Sequence, residues 1–269
     1  MKRRWLFSGL PTGLGPGGSR IIVIGCLVTA LFALPGLGAQ STLVVGVKHN
    51  ISATLVTPDG LVGPFPAMVV LSTSYGVRSF DRAYADRLAA EGYVCLIPEY
   101  LEAYHLTGNN RGDSFTRYAE TIYADLAQAV DILSHQDKVD GRHIGAVGFS
   151  NGGFFAVWLA ARGKVQVAID YYGAITGFGT DRQLGRLQSA IAANSSPMLL
   201  LVGDEDSYAP PTRRLSQILE EAGVPHSLRV YPGVGHEFDH QNLAMAEDAW
   251  HYTVAFLARY LKQQGGENQ

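Results

Sequence analysis

The chain reads as an α/β domain, a mostly parallel sheet with helices on both faces. Three observations predict it. Short apolar runs alternate along the chain with stretches of helical spacing. Several of those runs, such as residues 67–71 and 198–202, are apolar throughout, as strands buried on both faces must be. The 269 residues, 47% hydrophobic and 17% charged, supply one sizeable core, and no repeat or interdomain linker interrupts them.

The elements follow in order. Residues 42–47 and 51–57 predict two strands joined near His49 and Asn50, with Pro58-Asp59-Gly60 turning the chain afterwards. Residues 67–71 predict a buried strand. Residues 80–91 have helical spacing at Tyr84, Leu88 and Ala89 and stop at Gly92. Residues 93–98 predict the next strand, in which Cys95 acts as a small hydrophobe. A loop through Gly108 and Gly112 precedes a helix over about 114–134, with Tyr118, Ile122, Leu126 and Val130 on one face. Strands are expected at 143–149, 165–171, 198–202 and 227–231, and helices after Ser150, over 211–222 and over 243–262.

The first 39 residues differ in kind. Lys2, Arg3, Arg4 and Arg20 are the only charges before Lys48, and residues 21–39 are uncharged and mostly apolar. A basic start, an apolar centre and the small Ala39 predict a secretory signal cut near Ala39–Gln40, and so an exported protein, periplasmic or secreted. The alternative is an uncleaved tether, against which Pro35 and three glycines weigh. Arg3-Arg4 loosely matches a twin-arginine signal. A lipoprotein box at Val23-Ile24-Gly25-Cys26 has too little apolar sequence before it. Residues 40–269 form the folded domain.

Charge excludes other classes. The formal net charge is −3, and no basic stripe with interleaved aromatics suggests nucleic acid or an anionic membrane surface. Cys95 has no partner once Cys26 is removed, and no Cys/His cluster has zinc-ligand spacing, so neither metal nor organic cofactor is expected. The sequence specifies no oligomeric state.

One motif carries chemistry. Gly148-Phe149-Ser150-Asn151-Gly152-Gly153 follows an apolar strand and opens a helix. G-x-S-x-G alone is weak, since chance gives roughly 0.2 occurrences in a chain this rich in glycine. In a strand–corner–helix context it holds a serine hydroxyl out of the backbone beside the N–H groups of the helix's first turn. A helix-capping serine is the bland reading of Ser150, but a cap needs no glycines beside it. Such a serine needs a base, and the base an acid, on loops after later strands in that chain order. His236, in the glycine-flanked loop after the strand at 227–231, is the base, with His240 its nearest rival. Asp204, Glu205 and Asp206 compete for the acid, with Asp170 an outsider. The oxyanion would take the N–H of Asn151 and one from Ser74 or Tyr75, in the loop after residues 67–71.

Several stretches together resemble the dienelactone hydrolase family of α/β-hydrolases: Pro66–Leu71 with Gly76, residues 83–94, the Ser150 corner, Gly203-Asp204-Glu205-Asp206 with Pro210, and Gly235-His236-Glu237-Phe238. The resemblance spans about residues 45–261. It implies the α/β-hydrolase fold and selects Asp206 as the acid. Founding members of the family carry a cysteine nucleophile and a glutamate that helps activate it; here Ser150 and Thr73 stand in those places. Losing both together is coherent with a Ser-His-Asp esterase and weighs against dienelactone itself as substrate. Arg78, Arg82 and Arg111 are candidate anion contacts, against a reading as solvated loop arginines. Tyr171, Tyr172 and Phe178 are read as core aromatics before pocket walls.

The expectation is a hydrolase of small carboxylic esters working through an acyl-serine. The alternatives are a peptidase or amidase of the same fold and a non-catalytic binding module. The latter has no need of Ser150, Asp206 and His236 together.

Overall fold

The computed structural model describes residues 39–106, 108–176 and 182–262. The expected export segment, Ala39 apart, lies outside the described residues, as does Phe178.

Eight strands form one sheet in the order β1-β2-β4-β3-β5-β6-β7-β8. They are β1 Ala39–Val45, β2 Ile51–Thr57, β3 Phe65–Leu71, β4 Val94–Pro98, β5 Val139–Phe149, β6 Val167–Tyr171, β7 Met198–Gly203 and β8 His226–Tyr231. The six from β4 to β8 run parallel, while β1 and β2 form a hairpin whose second strand lies antiparallel to β4. The helices are α1 Ser79–Ala90, α2 Tyr100–Ala103, α3 Ala119–Ser134, α4 Asn151–Ala161, α5 Arg182–Ala190, α6 Ala209–Glu221, α7 Phe238–Gln241 and α8 Leu243–Leu257, the last continuing as a π-helical turn to Lys262.

The two-sided burial expected of the sheet is visible in its central strands β3, β4, β6 and β7, while the edge strands β1 and β8 keep one face partly exposed. In β3, Ala67, Val69 and Leu71 face a core shared with α3, α4 and α6, while Met68 and Val70 face one shared with α1 and α8. Period-two alternation therefore sends every residue from Ala67 to Leu71 into one core or the other.

The helix expected over 114–134 begins five residues later. A 3₁₀ segment, Gly108–Ser114, comes first, and the Asp113 carbonyl accepts from the amides of Thr116 and Tyr118 before α3 starts. The helices α2 and α7, of four residues each, are too short to show a period. In α5 only Leu184, Leu187 and Ala190 are apolar.

Across the α3 face, the hairpin is stitched down by one carboxylate. Asp125 of α3 is fully buried and accepts from the amides of Val47 (2.7 Å), Lys48 (2.5 Å) and His49 (3.1 Å), and from the Tyr104 hydroxyl (2.7 Å).

Candidate active site

Parallel strands deliver their C-terminal ends to one edge of the sheet, and ligand sites form there. At that edge β5 ends in Phe149, and Ser150 turns the chain with φ 51° and ψ −105°. A non-glycine residue in that region carries strain of about 1–3 kcal/mol and persists only where its surroundings hold it. Here the Ser150 amide donates to the Tyr171 carbonyl (2.9 Å), and the Ser150 carbonyl accepts from Ala174 (2.9 Å). The glycines of the corner are required. A Cβ at Gly148 would lie 2.1 Å from the Gly152 carbonyl oxygen, and one at Gly152 would lie 2.2 Å from that of Leu71.

Ser150 stands at the N-cap of α4 yet makes no side-chain capping bond. Its Oγ lies instead 2.9 Å from Nε2 of His236. Nδ1 of His236 lies 2.8 Å from Oδ2 of Asp206, whose side chain is fully buried and whose Oδ1 accepts from the Tyr208 amide at 2.9 Å. Hydroxyl, imidazole and carboxylate thus form one line across 86 residues of sequence.

Two loops hold that line. The Asp204 amide donates to the Tyr231 carbonyl, the Glu205 amide to the Val234 carbonyl, and the Asp204 carboxylate accepts from Gly233 at 2.7 Å. The acid-bearing and histidine-bearing loops are zipped together, and Asp204 serves that zipper. Next to His236, Glu237 takes a left-handed conformation (φ 58°), and Gln241 donates to the His236 carbonyl. Tyr172 and Tyr208 pack against the imidazole with ring centroids 5.0 and 5.3 Å away. His240 instead packs on Phe80, 4.3 Å between centroids.

The serine opens into a cavity of about 380 Å³ whose lining includes Thr73, Ser74, Tyr75, Arg111, Asn151 and Tyr208. The Tyr75 amide leans on Thr73 Oγ1 at 3.3 Å, while Ser74's amide has no acceptor among the described residues. Asn151 is the first residue of α4, so its amide also lacks an intrahelical acceptor. Arg111 reaches the cavity wall and lies over the Tyr75 ring, 4.9 Å from its centroid. Arg82 is not a pocket residue. It donates to Thr54 and pairs with Glu99 at 3.2 Å, a surface role that removes it from the anion contacts. Arg78 caps α1 and lies over Tyr75 at 4.6 Å. Tyr171 and Tyr172 are core residues, as read.

Some residues that shape this edge had no signal in the sequence. Glu102 of α2 accepts from the Val77 amide at 3.0 Å and so braces the loop of Ser74 and Tyr75. Tyr100 and Ser114 grip the side chain of Asn151. Asp170, the outsider among the acid candidates, does not meet His236: it lies at the end of β6, fully buried, with its carboxyl pushed up to about 8 by burial first and by the nearby charge of Asp206. No cluster of His, Cys, Asp and Glu suited to a metal occurs among the described residues.

Comparison with known proteins identifies the family. The sequence profile of the dienelactone hydrolase family matches residues 51–261. A carboxymethylenebutenolidase of Rhodococcus opacus is 30% identical over 217 residues, 74% of this chain and 83% of that protein. One from Pseudomonas putida is 29% identical over 205 residues, 71% and 81% of the two chains. In fold, a dienelactone hydrolase from Anabaena variabilis superposes with a TM-score of 0.61 at 21% identity, over 84% of this chain and 99% of that one. The chain belongs to the dienelactone hydrolase family of α/β-hydrolases.

Proposed function

We propose that this hydrolase cleaves carboxylic esters, lactones included, through an acyl-serine formed on Ser150. The observation that carries the reading is the Ser150–His236–Asp206 line at the floor of the cavity, with Ser150 only 7% exposed and held in a strained corner.

Ser150 Oγ attacks the acyl carbon as its proton passes to His236 Nε2. Asp206 holds the imidazole by Nδ1 and stabilises the imidazolium. The negative charge formed on the former carbonyl oxygen is taken by the amides of Asn151 and Ser74. On collapse the C–O bond to the alcohol breaks, and the alkoxide leaves with the proton from His236. Water then gives a proton to His236 and attacks the acyl carbon, releasing the acid and restoring the serine. Arg111, with no ion-pair partner among the described residues, suits an acyl group that carries an anionic substituent. Residues 1–39 would export the protein, which the N-terminal sequence of the mature form, beginning at Gln40, would bear out.

A fluorophosphonate probe tests the mechanism. Covalent attachment at Ser150, abolished in Ser150→Ala, is expected. Hydrolysis of p-nitrophenyl esters well above the matching p-nitroanilides separates the esterase from an amidase, and no labelling of Ser150 would overturn the reading.

A further inference from the structure

Three buried side chains join the Ser150 corner to the wall that bears Arg111. The hydroxyl of Tyr100, first residue of α2, donates to Asn151 Oδ1 at 2.7 Å. Asn151 Nδ2 donates to Ser114 Oγ at 2.7 Å, and Ser114 Oγ donates to the Arg111 carbonyl at 2.8 Å. Tyr100, Asn151 and Ser114 are each fully buried.

The order of protons along this line is forced. The Arg111 carbonyl can only accept, so the one proton of Ser114 goes there and Ser114 can only accept from Asn151. Asn151 therefore turns its NH₂ to Ser114 and its oxygen to Tyr100. Stabilising an oxyanion needs only the backbone N–H of residue 151, which nearly any side chain leaves available. A buried amide bonded at both ends needs another reason, because each lost bond would strand a desolvated polar group. An aspartate would not serve, since it would face Ser114 with an acceptor and draw its proton off Arg111.

We infer that the Asn151 side chain is a positioning residue: through Ser114 it clamps the Gly108–Ser114 segment to the nucleophile corner, and so sets where the Arg111 guanidinium stands relative to Ser150. The inference rests on the reading of Ser150 as nucleophile and Arg111 as the substrate's anion contact.

The test uses two p-nitrophenyl esters of similar acyl length, the neutral butyrate and the anionic hemisuccinate, on the full chain. Ser114→Ala and Tyr100→Phe are each expected to raise KM for the hemisuccinate about fivefold, leaving kcat on both esters and KM for the butyrate within about twofold. Arg111→Ala should raise KM for the hemisuccinate alone, and adding Ser114→Ala to it should raise it no further. Either single variant suffices should the other fail to fold. Equal changes on the two esters, no change, or additive effects with Arg111→Ala would overturn the inference while fluorophosphonate labelling of Ser150 still stands. A wild-type protein that neither labels nor turns over would overturn the underlying reading, and the clamp with it.

Discussion

The Asp170 carboxyl fills the space that a side chain at Gly153 would need: a Cβ there would lie 2.2 Å from Asp170 Oδ1. A carboxyl wedged under the first turn of α4 is fully buried and meets no well-aligned hydrogen-bond donor among the described residues, so burial first, and the nearby charge of Asp206 after it, push its pKa up to about 8. In the unfolded chain the same group ionises near pH 4. Between those values the unfolded state sheds a proton that the folded state retains, so this residue's contribution is fully present below pH 4 and is lost as pH rises through about 8.

Asp170→Asn, which mimics the protonated carboxyl, should match the wild type in stability near pH 4 and exceed it increasingly towards pH 8. The margin near neutral pH is on the order of 4 kcal/mol. Urea unfolding of both proteins at pH 4.5, 6 and 8 measures it. A difference that stays constant across the three values would mean that Asp170 does not hold its proton.

The hydroxyl–imidazole–carboxylate line makes a sharper demand. Ser150→Ala and His236→Ala should each lower kcat on p-nitrophenyl butyrate by about 10³-fold or more, and the double variant should lose little beyond either. Asp206→Asn keeps the shape but offers Nδ1 the wrong partner, so a loss on the order of 10⁴ is expected with the melting temperature nearly unchanged. Independent, additive losses from Ser150 and His236 would show that they do not act as one unit.

How much of this was legible in the sequence depended on how local the signal was. The corner at Ser150 could be read because its glycines, strand and helix are contiguous. The parallel strands could be read because burial on both faces leaves uninterrupted apolar runs such as Met198–Gly203. The reversed direction of β2 could not, because its residues pattern alike in either orientation. Three carboxylates within one loop could be ranked only by resemblance. The structure shows what a string cannot, that Asp204 turns to the Gly233 amide while Asp206 turns to His236. Arg82 could not be told from Arg111, since the first is tied to Glu99 of another element and the second faces the cavity. The grips of Tyr100 and Ser114 on Asn151 span 51 and 37 residues, distances over which no periodicity reports.

Asp125 offers a prediction about stability alone. Truncation to alanine would release three backbone amides and the Tyr104 hydroxyl at once. Val47 and its neighbours lie at the surface, where water can reach the freed amides, so the net cost stays near 3 kcal/mol rather than the sum of four bonds. For a chain of this size that is a fall of roughly 6–12 °C in melting temperature. Fluorophosphonate labelling of Ser150 in the folded fraction should be unchanged, because the stitch lies at the β1–β2 hairpin and not at the edge that carries Ser150. A variant that melts normally would show that the hairpin needs no stitch.

Glu102 tests the proposed oxyanion role of the loop that bears Ser74 and Tyr75. Its carboxylate holds the Val77 amide at 3.0 Å, and it occupies the space beside Gly76 so closely that a Cβ there would lie 2.1 Å from Oε1. Gly76 itself has φ 78°, a conformation that glycine adopts without strain. Glu102→Ala frees this loop without touching the Ser150–His236–Asp206 line. An amide aimed at developing charge matters more in the transition state than in the bound ester, so the loss should fall on kcat and spare KM. Outright removal of such a donor costs about 10²–10³, and a loop that is loosened but still present should cost about tenfold. Steady-state kinetics on p-nitrophenyl butyrate decide it: a rise in KM at constant kcat would place the brace in ester binding and remove Ser74 from the oxyanion's donors.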